Sequence, residues 1–248
     1  MKLPKVGWVK LCQHRPLPEN SIIKTVTISK TPSGKYYISM LVEYENQILP
    51  VIPKTFLGLD FAMHSLYVAS DEDEAKYPDF LRKAEKRLAK AQRKLSQKQK
   101  ESHNREKQRL RVAILHEKVA NQRRDFLHKK ARYLADRYDV IGIEDISVKA
   151  MAKRKKGGKF SFGKSVADNG WNMFTNMLEY KLAWQGKKLI KIDKWYPSSQ
   201  LCHVCGYQNH ETKDLSVREW DCPKCGSHHN RDKNAAINIR EEARRISA

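Results

Sequence analysis

Three features of the sequence predict a mixed α/β fold. Short apolar segments of strand length alternate with stretches of helical period. A long helical region at about 78–138 separates two strands that end in similar words, GLD at 58–60 and GIE at 142–144. Two C-x-x-C pairs near the C-terminus mark a small ribbon set into this plan.

Taken in chain order, residues 6–12, 22–30 and 35–45 alternate apolar with polar side chains and are rich in β-branched and aromatic types, so they read as strands. TPSG at 31–34 supplies the turn of a hairpin. Two or three strands seldom stand alone, so this sheet is expected to be part of something larger. KTFLGLDFAMHSLYVASD at 54–71 reads as a buried strand, a turn at Ala62 to Ser65 and a second strand. From Pro78 to about Arg137 the pattern is helical: Leu81, Leu88 and Leu95 recur at seven. After ESHN at 101–104, a second stripe runs through Leu110, Ala113, Glu117, Ala120, Leu127, Ala131, Leu134 and Tyr138. A helical hairpin accounts for both stripes. DVIGIEDI at 139–146 is a short buried strand, and the basic KRKKGGKFSFGKS at 153–165 reads as a loop. A helix at 171–186 and a strand at 187–196 lead into the cysteines.

The charge balance names a class of partner. Lys and Arg total 49 against 28 acidic residues, a net charge of +21 in 248 residues, which attracts polyanions such as nucleic acid. No apolar run approaches the ~20 residues that span a bilayer, and the N-terminus carries no signal-peptide core. An integral membrane protein or a disulfide-framed secreted domain does not fit this pattern. Of the five cysteines, Cys12 stands apart and is assigned no role.

Cys202 and Cys205, then Cys222 and Cys225, form two knuckles with sixteen residues between them. Each knuckle offers two thiolates to one tetrahedral ion and two knuckles close its shell, so a structural Zn²⁺ is expected. The histidines at 203, 210, 228 and 229 are not needed as ligands. A ribbon this short has too little core to fold without metal.

Three acids have the chemistry of a second metal centre. Residues two apart on a strand share a face, so Gly58 lies behind Asp60 and Gly142 behind Glu144. If the strands are neighbours, the carboxylates stand side by side over an open patch. Asp232, in NRDKNAAINI at 230–239, sits at the start of a helix with the stripe Ala236, Ile239, Ala243 and Ile246. By itself each acid has a plain reading: a strand-end carboxylate is commonly solvated, and an aspartate at a helix start is a good cap. Together they are hard-oxygen ligands of the kind that hold Mg²⁺ or Mn²⁺ for phosphoryl chemistry.

GLD, IGIEDI, WYPSSQLCHVCG, the second C-x-x-C and NRDKNAAINI, in this order, resemble the C-terminal half of the TnpB family. These are transposon-encoded RNA-guided DNA nucleases related to type V CRISPR effectors, and the resemblance runs from about Leu3 to the end. It implies a RuvC-like core of RNase H fold, a zinc ribbon inserted before the last helix, and a catalytic, Mg²⁺-binding triad at Asp60, Glu144 and Asp232. It implies nucleic-acid contacts at Lys153, Arg154, Lys155 and Lys156, beside Arg231 and Lys233, and along the helical hairpin. The corresponding domains are closing strands of an incomplete N-terminal β-barrel at 1–50, the core at 51–200, the ribbon at 201–228 and the last helix at 229–248. The rest of the family's barrel and its recognition domain have no counterpart here, so the chain is expected to be N-terminally truncated relative to the family. DNA is the expected partner, with guide RNA bound in the full-length family and a prokaryotic cytoplasm as its location. Three functions compete: a metal-dependent DNA endonuclease, a non-cleaving nucleic-acid-binding remnant or regulator, and a basic zinc-ribbon protein. The last leaves the paired GLD and GIE words unexplained.

Overall fold

The computed structural model describes residues 1–45, 47–62, 65–71, 73, 75–146 and 170–248. They divide into two compact units, Met1–Gln47 and Ile48–Ala248.

The first unit holds two separate antiparallel pairs. β1 (Lys2–Leu3) pairs with β2 (Gly7–Trp8), and β3 (Ile22–Lys30) pairs with β4 (Tyr36–Glu43). The hairpin turn is closed by Thr31, whose N–H bonds the Lys35 carbonyl at 2.8 Å, and by Gly34 at φ 89°. Of the strand expected at 6–12, only Gly7–Trp8 pairs. No closed barrel is present among the described residues. None of the described residues in this unit is buried.

The second unit is built on a four-stranded mixed sheet in the order β6-β5-β7-β8. β5 (Phe56–Phe61) runs parallel to β7 (Val140–Glu144), which is parallel to β8 (Lys188–Ile192). The short β6 (Tyr67–Ala69) folds back antiparallel on β5. Asp139 fixes the entry to β5, its Oδ2 accepting from the N–H groups of Lys54 and Thr55 at 3.0 Å each.

Alternation along β5 and β7 sends different residues to the two faces of the sheet. Leu57, Leu59, Ile141 and Ile143 point to one face and pack against α2 (His103–Arg137) and α3 (Trp171–Ala183). Only the C-terminal half of α2 reaches this core, through Leu127, Ala131, Leu134 and Ala135. In the first half of α2 the expected stripe leaves Leu110 and Ala120 exposed and Ala113 and Glu117 half-buried, and this half bonds α1 (Phe80–Ser96) through Gln108 to the Ala91 carbonyl and His116 to Gln92.

The opposite face is covered by α4 (Arg231–Ser247), through Ile239 and Ala243 against Val140 and Ile192. Here the glycines behind the carboxylates find their reason. A Cβ on Gly58 would lie 2.0 Å from the Ala236 carbonyl oxygen and 2.5 Å from the Arg240 nitrogen. One on Gly142 would lie 2.6 Å from the Ala243 Cβ. The patch expected to be open is thus occupied by helix backbone, and only glycine admits so close an approach.

Candidate functional site

The contact at the glycines sets where the third acid lands. Two residues along a strand advance ~6.7 Å and four along a helix ~6.0 Å. Moving from Gly58 to Asp60 therefore matches moving from Ala236 back to Asp232. The neighbouring strand keeps step, since Gly58 pairs with Gly142 and Leu59 with Ile143. Asp60 and Glu144 are the next residues on the two strands. The three acids belong to one electrostatic neighbourhood: burial, then the charges of Glu144 and Asp232, push the Asp60 carboxyl well above its ordinary value of 3.8. The Arg231 guanidinium and the Phe61 backbone N–H act the other way. A carboxylate held in this way is unfavourable alone and becomes favourable when a cation sits beside it.

The other two acids have partners of their own. The Ser198 hydroxyl donates to Glu144 Oε1. Asp232 Oδ2 accepts from Arg218 Nη1 at 3.2 Å. Asp232 is not the helix cap: Asn230 takes that place, its Oδ1 accepting from the Lys233 N–H at 3.1 Å. Asp232 is the second residue of the helix, and its carboxylate acts on Asp60 while it is bonded to Arg218. Of the flanking cations, Lys233 Nζ donates to the Asp71 carbonyl. Arg231 buries Nε and Nη1 without a hydrogen-bond partner. Lys153, Arg154, Lys155 and Lys156 lie outside the described residues.

Sequence reasoning missed the asparagines that join ribbon to core. Asn238 Nδ2 donates to the carbonyls of Ser198 and Leu201 at 2.8 and 2.7 Å. Asn234 Nδ2 donates to Leu201 at 2.7 Å, and its Oδ1 accepts from the His203 N–H at 3.1 Å. With Asn230 they recur at every fourth position of NRDKNAAIN, a helical stripe that was visible in the sequence.

The four cysteines converge as well. The ligand atoms of Cys202, Cys205, Cys222 and Cys225 lie within 4.8 Å of one another, a closeness that no other set of three or more His, Cys, Asp or Glu reaches among the described residues. The Cys202–Cys225 and Cys205–Cys222 sulfurs are 3.7 and 3.6 Å apart. A tetrahedral zinc with bonds of ~2.3 Å has S···S edges of ~3.8 Å, so the quartet fits that ion. Gly206 and Gly226, at φ 73° and 72°, return their N–H groups to the Cys202 and Cys222 carbonyls at 2.8 Å. Ser227, through its hydroxyl and then its backbone, holds the Cys225 thiol down to about 6. His229 is no fifth ligand: its Nε2 lies 3.1 Å from Cys202 Sγ and its ring packs on Trp220.

Comparison with known proteins gives these sites a context. Residues 39–155 match the family described as "Probable transposase" (OrfB_IS605), and residues 171–239 match the "Cas12f1-like, TNB domain" family. A "Putative RNA-guided DNA endonuclease" of Streptomyces pristinaespiralis is 40% identical over 226 residues, 91% of this chain and 54% of that protein. The "Putative RNA-guided DNA endonuclease InsQ" of Escherichia coli K12 is 35% identical over 248 residues, 96% of this chain and 60% of that protein. The chain thus spans a little over half the length of these relatives. Among solved structures, Cas12f1 in its complex with guide RNA and target DNA matches with a TM-score of 0.51 at 20% identity, over 87% of this chain and 55% of that one, a likeness of fold. By these matches the chain is similar to the TnpB (OrfB) family along both matched stretches and over nearly its whole length.

Proposed function

We propose that the chain carries a RuvC-like nuclease core that hydrolyses phosphodiester bonds of DNA, with Asp60, Glu144 and Asp232 as its catalytic acids. The observation that carries this reading is that Asp60 and Glu144 end two paired parallel strands while Asp232 opens the helix seated on the glycines behind them, with their charges acting on Asp60. The donor set is all carboxylate oxygen, which suits Mg²⁺ or Mn²⁺ over softer metals. Divalent cations held there would supply charge for an attacking water and for the leaving oxygen of an in-line displacement.

The chain's own residues prepare that chemistry. Asp60, whose carboxyl is raised by the charges of both other acids, would hold the cations together with Glu144 and Asp232. Ser198 fixes the rotamer of Glu144, and Asn238 holds Ser198. Arg218 balances the charge of Asp232 and is more than half exposed, so it is available to a phosphate once a cation takes its place. Arg231 and Lys233 flank the same acid, and the net charge of +21 draws nucleic acid toward it. The zinc ribbon is structural in this reading, a closed four-thiolate site with no open position. The curated relatives are named for RNA guidance, so a guide RNA is the proposed second partner.

The test is cleavage of single-stranded DNA in Mg²⁺ or Mn²⁺ by the wild-type chain and by Asp60→Ala. We expect wild-type cleavage and a loss of 10³-fold or more in the variant, the scale of losing a group that acts on the transition state. Equal cleavage by both proteins would sink the site. No cleavage by either, with DNA binding intact, would leave the non-cleaving, nucleic-acid-binding reading.

A further inference from the structure

Trp195 is 80% exposed, the most exposed aromatic side chain among the described residues of the Ile48–Ala248 unit. Leaving an indole in water forgoes the stabilisation that a large apolar side chain gains on burial. The segment that carries it is not loose. The Trp195 N–H donates to Asp193 Oδ1 at 2.7 Å and the Tyr196 N–H to the Asp193 carbonyl at 3.0 Å. Beyond it, Ser198 and Leu201 donate to the carbonyls of Tyr196 and Pro197 at 2.8 and 3.1 Å. Asn238 secures the Ser198 carbonyl from α4. A large apolar ring is therefore held out to solvent on a braced frame. Lys194 places its ammonium 5.0 Å from the ring centroid.

The frame ends on the acids. Ser198, three residues after Trp195, is the residue that donates to Glu144. Three residues of chain reach at most ~11 Å, so the backbone of Trp195 is no farther than that from the backbone of the serine that bonds Glu144. An exposed aromatic face with a cation beside it is how proteins hold single-stranded nucleic acid: bases stack on the ring and the cation meets the backbone. Bases inside a duplex already stack on one another and offer no free face.

We propose that Trp195 is a stacking platform for a base of single-stranded DNA at the mouth of the Asp60–Glu144–Asp232 cluster, with Lys194 meeting the adjacent phosphate. The location rests on the reading of those acids as the cutting centre, whereas the stacking itself needs no cutting.

The full chain carrying Asp60→Ala, which keeps the DNA intact, is titrated with oligo(dT), a duplex of equal length and oligo(rU), following tryptophan fluorescence and affinity. Adding Trp195→Ala is expected to weaken oligo(dT) binding about tenfold, the effect of one lost base–aromatic stack. It should also remove part of the quenching and leave duplex affinity unchanged. Trp195→Phe should recover most of the affinity. Trp184→Ala, at the other end of β8 and 51% exposed, should change neither. Unchanged oligo(dT) affinity in Trp195→Ala overturns the platform. So does an equal loss on duplex, which would mean charge alone, or a dependence on Trp195 confined to oligo(rU), which would assign the ring to RNA. These readouts do not use cleavage. A platform that binds while Asp60→Ala still cuts would remove the catalytic reading and its location, and leave the stacking.

Discussion

Gly58 and Gly142 show how much one hydrogen atom in place of a methyl can decide. The Gly58 Cβ direction ends on backbone atoms of α4, which cannot turn aside, whereas that of Gly142 first meets the Ala243 methyl. Gly58→Ala should therefore cost ~3 kcal/mol or more and Gly142→Ala ~1–3 kcal/mol, in the range of overpacked cores. Urea unfolding of both variants checks the order, and a smaller loss for Gly58→Ala than for Gly142→Ala would contradict the close approach of α4 at Gly58. At this scale the positions of Asp60 and Glu144 at strand ends and of Asp232 at a helix start were legible in the sequence, because strand and helix periods are local. Ser198 and Asn238 were not, since a serine in a loop or an asparagine on a helix gains its meaning only from the carboxylate or carbonyl the fold sets against it. The glycines were half legible: their strand face was read correctly, but what lies on that face is a tertiary fact.

Among the elements, the ribbon depends most on what it binds. Its own core is Cys202, Trp220 and Cys222, with Cys205 and Val217 half-buried against them, so three of its five members are the ligands themselves. The four sulfurs lie within 4.8 Å of one another, an arrangement that repulsion between thiolates would open without a cation to hold them. Binding energy of ~10 kcal/mol or more would then be folding energy for this element. We expect freshly purified protein to contain one zinc per chain, and Cys222→Ser or chelation to remove it. Hydrogen exchange should then rise across 201–230 while β5 and β7 stay protected, because the Leu57–Ile143 core has no share in the ribbon. Protection of 201–230 that survives loss of the metal would overturn its structural role. The knuckles were legible because ligand spacing is local. The full length of the helical hairpin was also legible, from its period. Which half of α2 reaches the sheet was not, since Leu110 and Leu127 belong to one stripe and differ only in what lies opposite.

For the molecule as a whole, stability is unevenly divided. Every buried residue among those described lies beyond Gln47, while the first unit exposes Trp8, Ile22, Ile28, Tyr36 and Leu41. An isolated hairpin is marginal in water. Residues 48–248 expressed alone should keep a cooperative thermal transition within a few degrees of the full chain, as calorimetry would show. Loss of that transition would mean that the first unit supplies stability its own burial does not reveal. The mixed α/β class could be read from periodicity, but the strand order β6-β5-β7-β8 could not, because pairing between residues more than eighty positions apart leaves no local mark. The seating of α4 has a consequence in time. Asp60 and Glu144 leave the ribosome well before Arg231–Ser247, and the helix that bears Asp232 also covers the sheet face beneath them. A nascent chain thus holds two of the three acids over an uncovered sheet until Arg231–Ser247 has been released. If the three act together, the centre is assembled only once that helix has been made, and a product stopped before it lacks both the third acid and the cover of that face.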